Sequence, residues 1–160
     1  MPKLVNTLPG NENTTTLGAE VQKAEIISGD AVMVTDSTYQ FTVYTGGDMP
    51  KNAIFTLTVP LSVKLPENPA TMIKLNCMIG CSSKSPTIAW SATDRVLTFK
   101  GVVPEVSSYI SAPGPIQFTV KGFTNPSTTD RAYFVWTSYA SFTDGDFMID
   151  RISNLWVQSK

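Results

Sequence analysis

The stretch Ser37–Pro60, STYQFTVYTGGDMPKNAIFTLTVP, alternates apolar and polar side chains on both sides of a glycine turn. In its first half Tyr39, Phe41 and Val43 fall on one set of alternate positions, and Gln40, Thr42 and Tyr44 on the other. A period of two sends neighbouring side chains to opposite faces, which suits a strand with one buried face. Gly46-Gly47-Asp48 supplies turn residues. In the second half Phe55, Leu57 and Val59 oppose Ile54, Thr56 and Thr58. Pro60 and Pro66 close that segment, because proline has no N–H to give to a ladder.

The same period recurs outward from this core. Upstream, EVQKAEIIS places Val21 and Ile26 in apolar positions, and Ala31–Val34 is a short segment able to pair with it. Downstream, TMIKLNC sets Met72 and Lys74 opposite Ile73 and Leu75, a short apolar stretch follows at Thr87–Trp90, and RVLTFKG sets Val96 and Thr98 opposite Leu97 and Phe99. PIQFTVKGF aligns Ile116, Phe118 and Val120, and RAYFVWTS opposes Tyr133, Val135 and Thr137 to Phe134 and Trp136. The last strand is expected within FMIDRISNLWVQ, interrupted near Asp150 because it is long for one strand. Residues 102–114 read as loop. Eight to ten short strands between Gly, Pro, Asn and Ser turns predict an all-β, antiparallel, immunoglobulin-like β-sandwich; a jelly roll leaves the same pattern and is the alternative.

Composition agrees. Charged residues make up 16% of the 160, and eleven prolines and ten glycines interrupt any long helix. Residues 1–17, polar and broken by Pro9 and Gly10, read as a flexible tail or linker, with one short pairing segment at Lys3–Asn6. Residues 18–160 read as one sandwich domain. The N-terminal stretch has no apolar core of the kind a secretory signal needs, so an extracellular chain would be a mature form or an excerpt. Net charge is −1 with no basic cluster, which argues against nucleic acid. No apolar run nears the roughly 18 residues of a spanning helix, so membrane insertion is not expected.

Histidine is absent, which removes the usual general base, the Ser-His-Asp and Cys-His arrangements and the commonest transition-metal ligand. Paired carboxylates remain open as a route to glycoside hydrolysis. The candidates are Asp36, Asp48, Glu67, Asp94, Glu105, Asp130, Asp144, Asp146 and Asp150, nearly all in expected turns where Asp commonly organises backbone. No catalytic site and no cofactor are expected, and the chain reads as a non-enzyme. Asp144-Gly145-Asp146 has the alternate oxygens of a calcium loop but lacks its distal Glu, so a plain turn is preferred over a metal site. Cys77 and Cys81 are too few for structural zinc; a local disulfide is expected in an oxidising compartment, the alternative being two buried thiols. Asn13-Thr14-Thr15 is a glycosylation sequon, whereas Asn125-Pro126-Ser127 is not one because proline stands in the middle. Trp90, Trp136 and Trp156 would serve a carbohydrate platform only if two or more rings were exposed and coplanar; core packing is the commoner use.

The order of PIQFTVKGF, Asn-Pro-Ser-Thr-Thr, RAYFVWT and FMID, with the Pro-Lys-Asn turn of the first half, resembles the repeated adhesin-like sandwich modules of very large ciliate surface proteins. The resemblance spans about Ala19 to Asp150 and implies an extracellular or cell-surface structural module. Three roles follow as expectations: a structural or adhesion unit of a larger surface protein, a self-assembling capsid- or filament-type subunit, and a carbohydrate-binding module. A protein partner or self-association through strand edges or loop tips fits the first two.

Overall fold

The computed structural model describes residues 22–104, 109–110 and 114–160. The expected pairing at Lys3–Asn6, the tail boundary, Asn13 and Glu105 lie outside these. The alternating segments form β1 (Lys23–Ser28), β2 (Ser37–Thr45), β3 (Met49–Pro50), β4 (Ala53–Thr58), β5 (Lys74–Ile79), β6 (Thr87–Ser91), β7 (Val96–Lys100), β8 (Tyr109–Ile110), β9 (Gly114–Phe123), β10 (Ala132–Phe142) and β11 (Gly145–Val157). A single helical turn, α1 (Pro69–Met72), precedes β5.

Two antiparallel sheets result. One runs β1-β2-β9-β5 and the other β11-β10-β4-β7-β6, while β3 and β8 form a two-stranded accessory. Their inner faces interlock into one core, the immunoglobulin-like sandwich expected from the alternation. The first sheet contributes Tyr39, Phe41, Val43, Leu75, Ile116, Phe118 and Val120; the second contributes Phe55, Leu57, Leu97, Phe99, Phe134, Trp136, Leu155 and Val157. Aromatic rings bridge the layers: Phe41 of the first sheet meets Phe134 of the second edge-on at 5.2 Å, and Phe118 of the first stacks on Phe55 of the second at 5.9 Å. Such pairs add about 0.5–1.5 kcal/mol each beyond their area burial.

The termini of the sheets explain where local patterning gave way. Ala31–Val34 does not pair as a strand; it bends, with Gly29 and Met33 at positive φ. The buried Asn125 holds it there. Its Nδ2 donates to the carbonyls of Gly29 (2.8 Å) and Ala31 (2.7 Å), its N–H donates to Val34 (2.9 Å), and its Oδ1 accepts from the Tyr39 hydroxyl (2.8 Å). Burial pushes the Tyr39 phenol upward, so it remains the donor. Met72 leaves the expected strand for α1, because Pro69 is preset for a first helical turn and the N–H groups of Met72 and Ile73 close on Asn68 and Pro69 at 2.9 Å. The last strand is not interrupted at Asp150. Its register against β10 shifts twice, between Ser138/Tyr139 and between Phe134/Trp136, so β11 bulges and continues for 13 residues.

Candidate functional site

The sandwich has four edge strands, and they differ in how they meet solvent. β5 and β6 flank one side. β5 is six residues long and its register against β9 shifts between Cys77 and Ile79. The structure joins Cys77 to Cys81, with Cα atoms 5.8 Å apart, and the enclosed Gly80 lies tightly against the Pro115 carbonyl at φ +80°. Lys74 stands opposite Lys121, whose ammonium contacts Asp36. Like charges facing across strands repel, and Asp36 offsets that. A cavity of about 270 Å³ opens here, lined by Ile73, Leu75 and Ile88 with Lys74, Asn76 and Lys121. β6 is five residues long, and the turn that follows it is held by Arg95. The Arg95 guanidinium group donates to the carbonyls of Val59 (3.0 Å), Pro60 (3.0 Å) and Val63 (2.6 Å), and lies 5.8 Å from the centre of the Trp90 ring.

β1 and β11 flank the opposite side. β1 is short and carries the exposed pair Lys23–Glu25 at 3.4 Å. β11 is more than twice as long, and among the described residues no strand pairs with its outer side. Its N-terminal half forms a hairpin with β10 around Thr143-Asp144, closed by Gly145 at φ +139°. Phe142, Phe147 and Met148 are 53%, 57% and 52% exposed. Phe142 and Phe147 pack together with ring centres 5.8 Å apart. Phe147 is registered with Ala140, the last buried residue on the core-facing side of β10, so both rings continue that side past the end of the core.

Asp150 anchors this hairpin from within. Its carboxylate accepts from the N–H of Gly46 (2.9 Å) and from the Ser138 hydroxyl (3.4 Å), and its own N–H donates to Ser138 Oγ (3.1 Å). Burial raises its pKa, opposed by the hydrogen bonds from Gly46, Ser138 and Gly47. Among the carboxylates named from sequence, Asp36 pairs with Lys121, Asp94 bonds to Ser91 and Asp130 bonds to Thr128. They are engaged at separate points of the fold. Asp144 and Asp146 are exposed at the hairpin, and among the described residues no group of three or more His, Cys, Asp or Glu is placed to hold a metal ion.

The three tryptophans are not brought together. Trp136 is buried, Trp90 lies on edge strand β6, and Trp156 lies on edge strand β11 at the other end of the same sheet. Trp156 is registered with the half-exposed Tyr133, and Arg131 covers its ring at 4.1 Å. Phe142, Phe147 and Met148 were not legible as a surface in the sequence. The available signal was their position: large apolar residues immediately flanking the Thr143-Asp144-Gly145 turn.

No protein family matches the chain, and no curated protein matches it. Solved structures with a similar arrangement include the collagen-binding domain of a Staphylococcus aureus adhesin (9% identity, 86% of this chain and 95% of that one, TM-score 0.46). Another is the collagen-binding subdomain of the Enterococcus faecalis surface protein ACE (6%, 86% and 94%, TM-score 0.49). A third is an uncharacterised Nocardia farcinica protein with an immunoglobulin-like fold (16%, 82% and 81%, TM-score 0.47). All three are bacterial, so the resemblance to ciliate modules gains no relative among them. With every TM-score below 0.5, these likenesses assign no role to this chain.

Proposed function

We propose that the chain is a non-catalytic structural or adhesion module of an extracellular or cell-surface assembly, joined to other proteins through the β11 edge and the tip of the β10–β11 hairpin. The carrying observation is the 13-residue edge, whose outer side no strand pairs among the described residues, beside three large apolar side chains that are each more than half exposed. An unpaired edge offers a ready template for another strand, and folded domains usually shorten, charge or cover such edges. The other three edges are short, at six, six and five residues. The absence of histidine and the separate engagement of the carboxylates support the non-catalytic half of the reading.

Light scattering over a concentration series tests it. Association that is lost in a Phe147→Lys/Met148→Lys variant is the expected result. A chain that stays monomeric, with amide exchange along β11 unchanged by any assembly partner offered, overturns the reading. Sugar binding is the second reading, carried by Tyr133 beside Trp156 on the outer face. Arg131 already covers one face of that indole. Tryptophan fluorescence that does not respond to a glycan panel disposes of it.

A further inference from the structure

We infer that the strand received by the β11 edge is Lys3–Leu8 of a second copy of this chain, exchanged reciprocally between two molecules. The inference rests on the association surface proposed above and names its partner. The acceptor has three parts: the outer side of β11, unpaired among the described residues, the apolar residues Phe142, Phe147 and Met148, and the exposed carboxylates of Asp144 and Asp146 at the same tip. The stretch Lys3–Leu8, KLVNTL, matches each in kind. It alternates Leu4, Asn6 and Leu8 with Val5 and Thr7, so one face is largely apolar in a strand. It brings Lys3, and no acidic residue precedes Glu12. Pro9 ends the match, since a proline cannot extend the ladder.

The entry point of the chain supports exchange at this end. Lys23, the first residue of β1, pairs with Thr42 of β2, three positions before Thr45. The next residue, Gly46, is bonded to Asp150 of β11. Lys23 therefore lies toward the end of the first sheet where Gly46 meets β11. The 14 residues from Pro9 to Gln22 can span at most about 50 Å, enough to reach a neighbouring molecule. The point where the chain enters β1 and the acceptor lie on one side of the sandwich, so mutual exchange is expected to close as a two-fold pair instead of propagating as a filament. A second molecule also covers what a strand on the edge alone leaves bare, the Phe142 and Phe147 rings that continue the core-facing side beyond the core. Net charge of −1 sets no electrostatic barrier between copies.

Complementation tests this with full-length chains. The wild type should scatter with twice the mass of the 17.4 kDa chain. A donor variant, Leu4→Lys/Leu8→Lys, and an acceptor variant, Phe147→Lys/Met148→Lys, should each be monomeric. Mixing them should restore a dimer, because each supplies what the other lacks. A dimeric donor variant beside a monomeric acceptor variant overturns Lys3–Leu8 as the partner and leaves the association surface standing. Dimers in both variants overturn the partner and the surface together. A mixture that stays monomeric overturns exchange. A monomeric wild type whose β11 amides lose protection from exchange in the donor variant shows the stretch docked on its own molecule, and overturns the second copy.

Discussion

The two sides of the sandwich end their sheets by opposite means. On the β5/β6 side both edge strands are short, a disulfide closes the end of β5, Gly80 is pressed onto Pro115, and Arg95 gathers three carbonyls into the turn after β6. On the β1/β11 side the longest strand carries an edge that is unpaired among the described residues past the core, with apolar side chains exposed at its tip. The contrast teaches that edge chemistry, and not core packing, separates the two halves of this molecule. Both sheets supply equally buried inner faces. A side built to stop pairing tolerates little change, whereas a side left open should tolerate change in stability while being sensitive in association.

The largest effect should come from the closed side. A Cβ at Gly80 would lie 2.1 Å from the Pro115 carbonyl oxygen, and φ there is +80°. Gly80→Ala is expected to cost at least about 3 kcal/mol in urea unfolding, because backbone and not a flexible side chain must move. A loss under about 1 kcal/mol, ordinary for a point substitution, would show that the β5 end is not held as tightly as its geometry implies. Arg95→Ala comes next, at about 2 kcal/mol, since it removes a charged donor from three carbonyls. Thermal unfolding that matches the wild type would remove Arg95 from the account of the closed side.

Asp150 carries a smaller, pH-dependent effect on the open side. Its folded pKa is raised by burial, so the folded chain binds this proton more tightly than the unfolded chain. Stability from this group is therefore highest below the ordinary carboxylate range and falls as pH rises through the raised value. Asp150→Asn keeps an acceptor for the Gly46 N–H and removes that slope. Unfolding free energy measured across the acid range should vary less with pH than in the wild type, without loss at neutral pH. A variant less stable at neutral pH would mean that the charged form is what holds the Gly46 loop. The smallest effect belongs to Phe147→Lys, expected within about 0.5 kcal/mol in chemical unfolding at concentrations low enough for the wild type to be monomeric, because the side chain is more than half exposed. A cost of several times that would mean that the tip is part of the core and would erase the difference between the two sides.

Much of this architecture was legible residue by residue. The alternations at Tyr39–Val43, Phe55–Val59, Ile116–Val120 and Phe134–Trp136 all became inner faces, since a period of two leaves a strand only one way to bury its apolar set. The exceptions have local causes with distant partners. Met72 went to a helical turn because Pro69 favours one, and Ala31–Val34 was bent by Asn125, 91 positions beyond Val34 in the chain. The break expected near Asp150 became a bulge because β10 offers continuous partners on the other side. The candidate surface was less legible. Phe142, Phe147 and Met148 look like any strand residues in sequence; the length of β10 and β11 relative to the core leaves Phe142 and Phe147 uncovered, and Met148, registered with Tyr139, lies on the opposite face.

The sequence by itself determined the class: an all-β chain with one buried face per strand, turns at its glycines and prolines, and no histidine for the common catalytic arrangements. Those properties are local, fixed by side-chain period, proline's missing N–H and composition. Only the tertiary structure decided which edges close and which stays open, because an edge is defined by the absence of a neighbour, and neighbours here come from distant parts of the chain. It also decided that Asp150 is half-buried against the Gly46 loop, that Cys77 and Cys81 meet at a sheet edge, and that three apolar side chains near the final hairpin are left exposed.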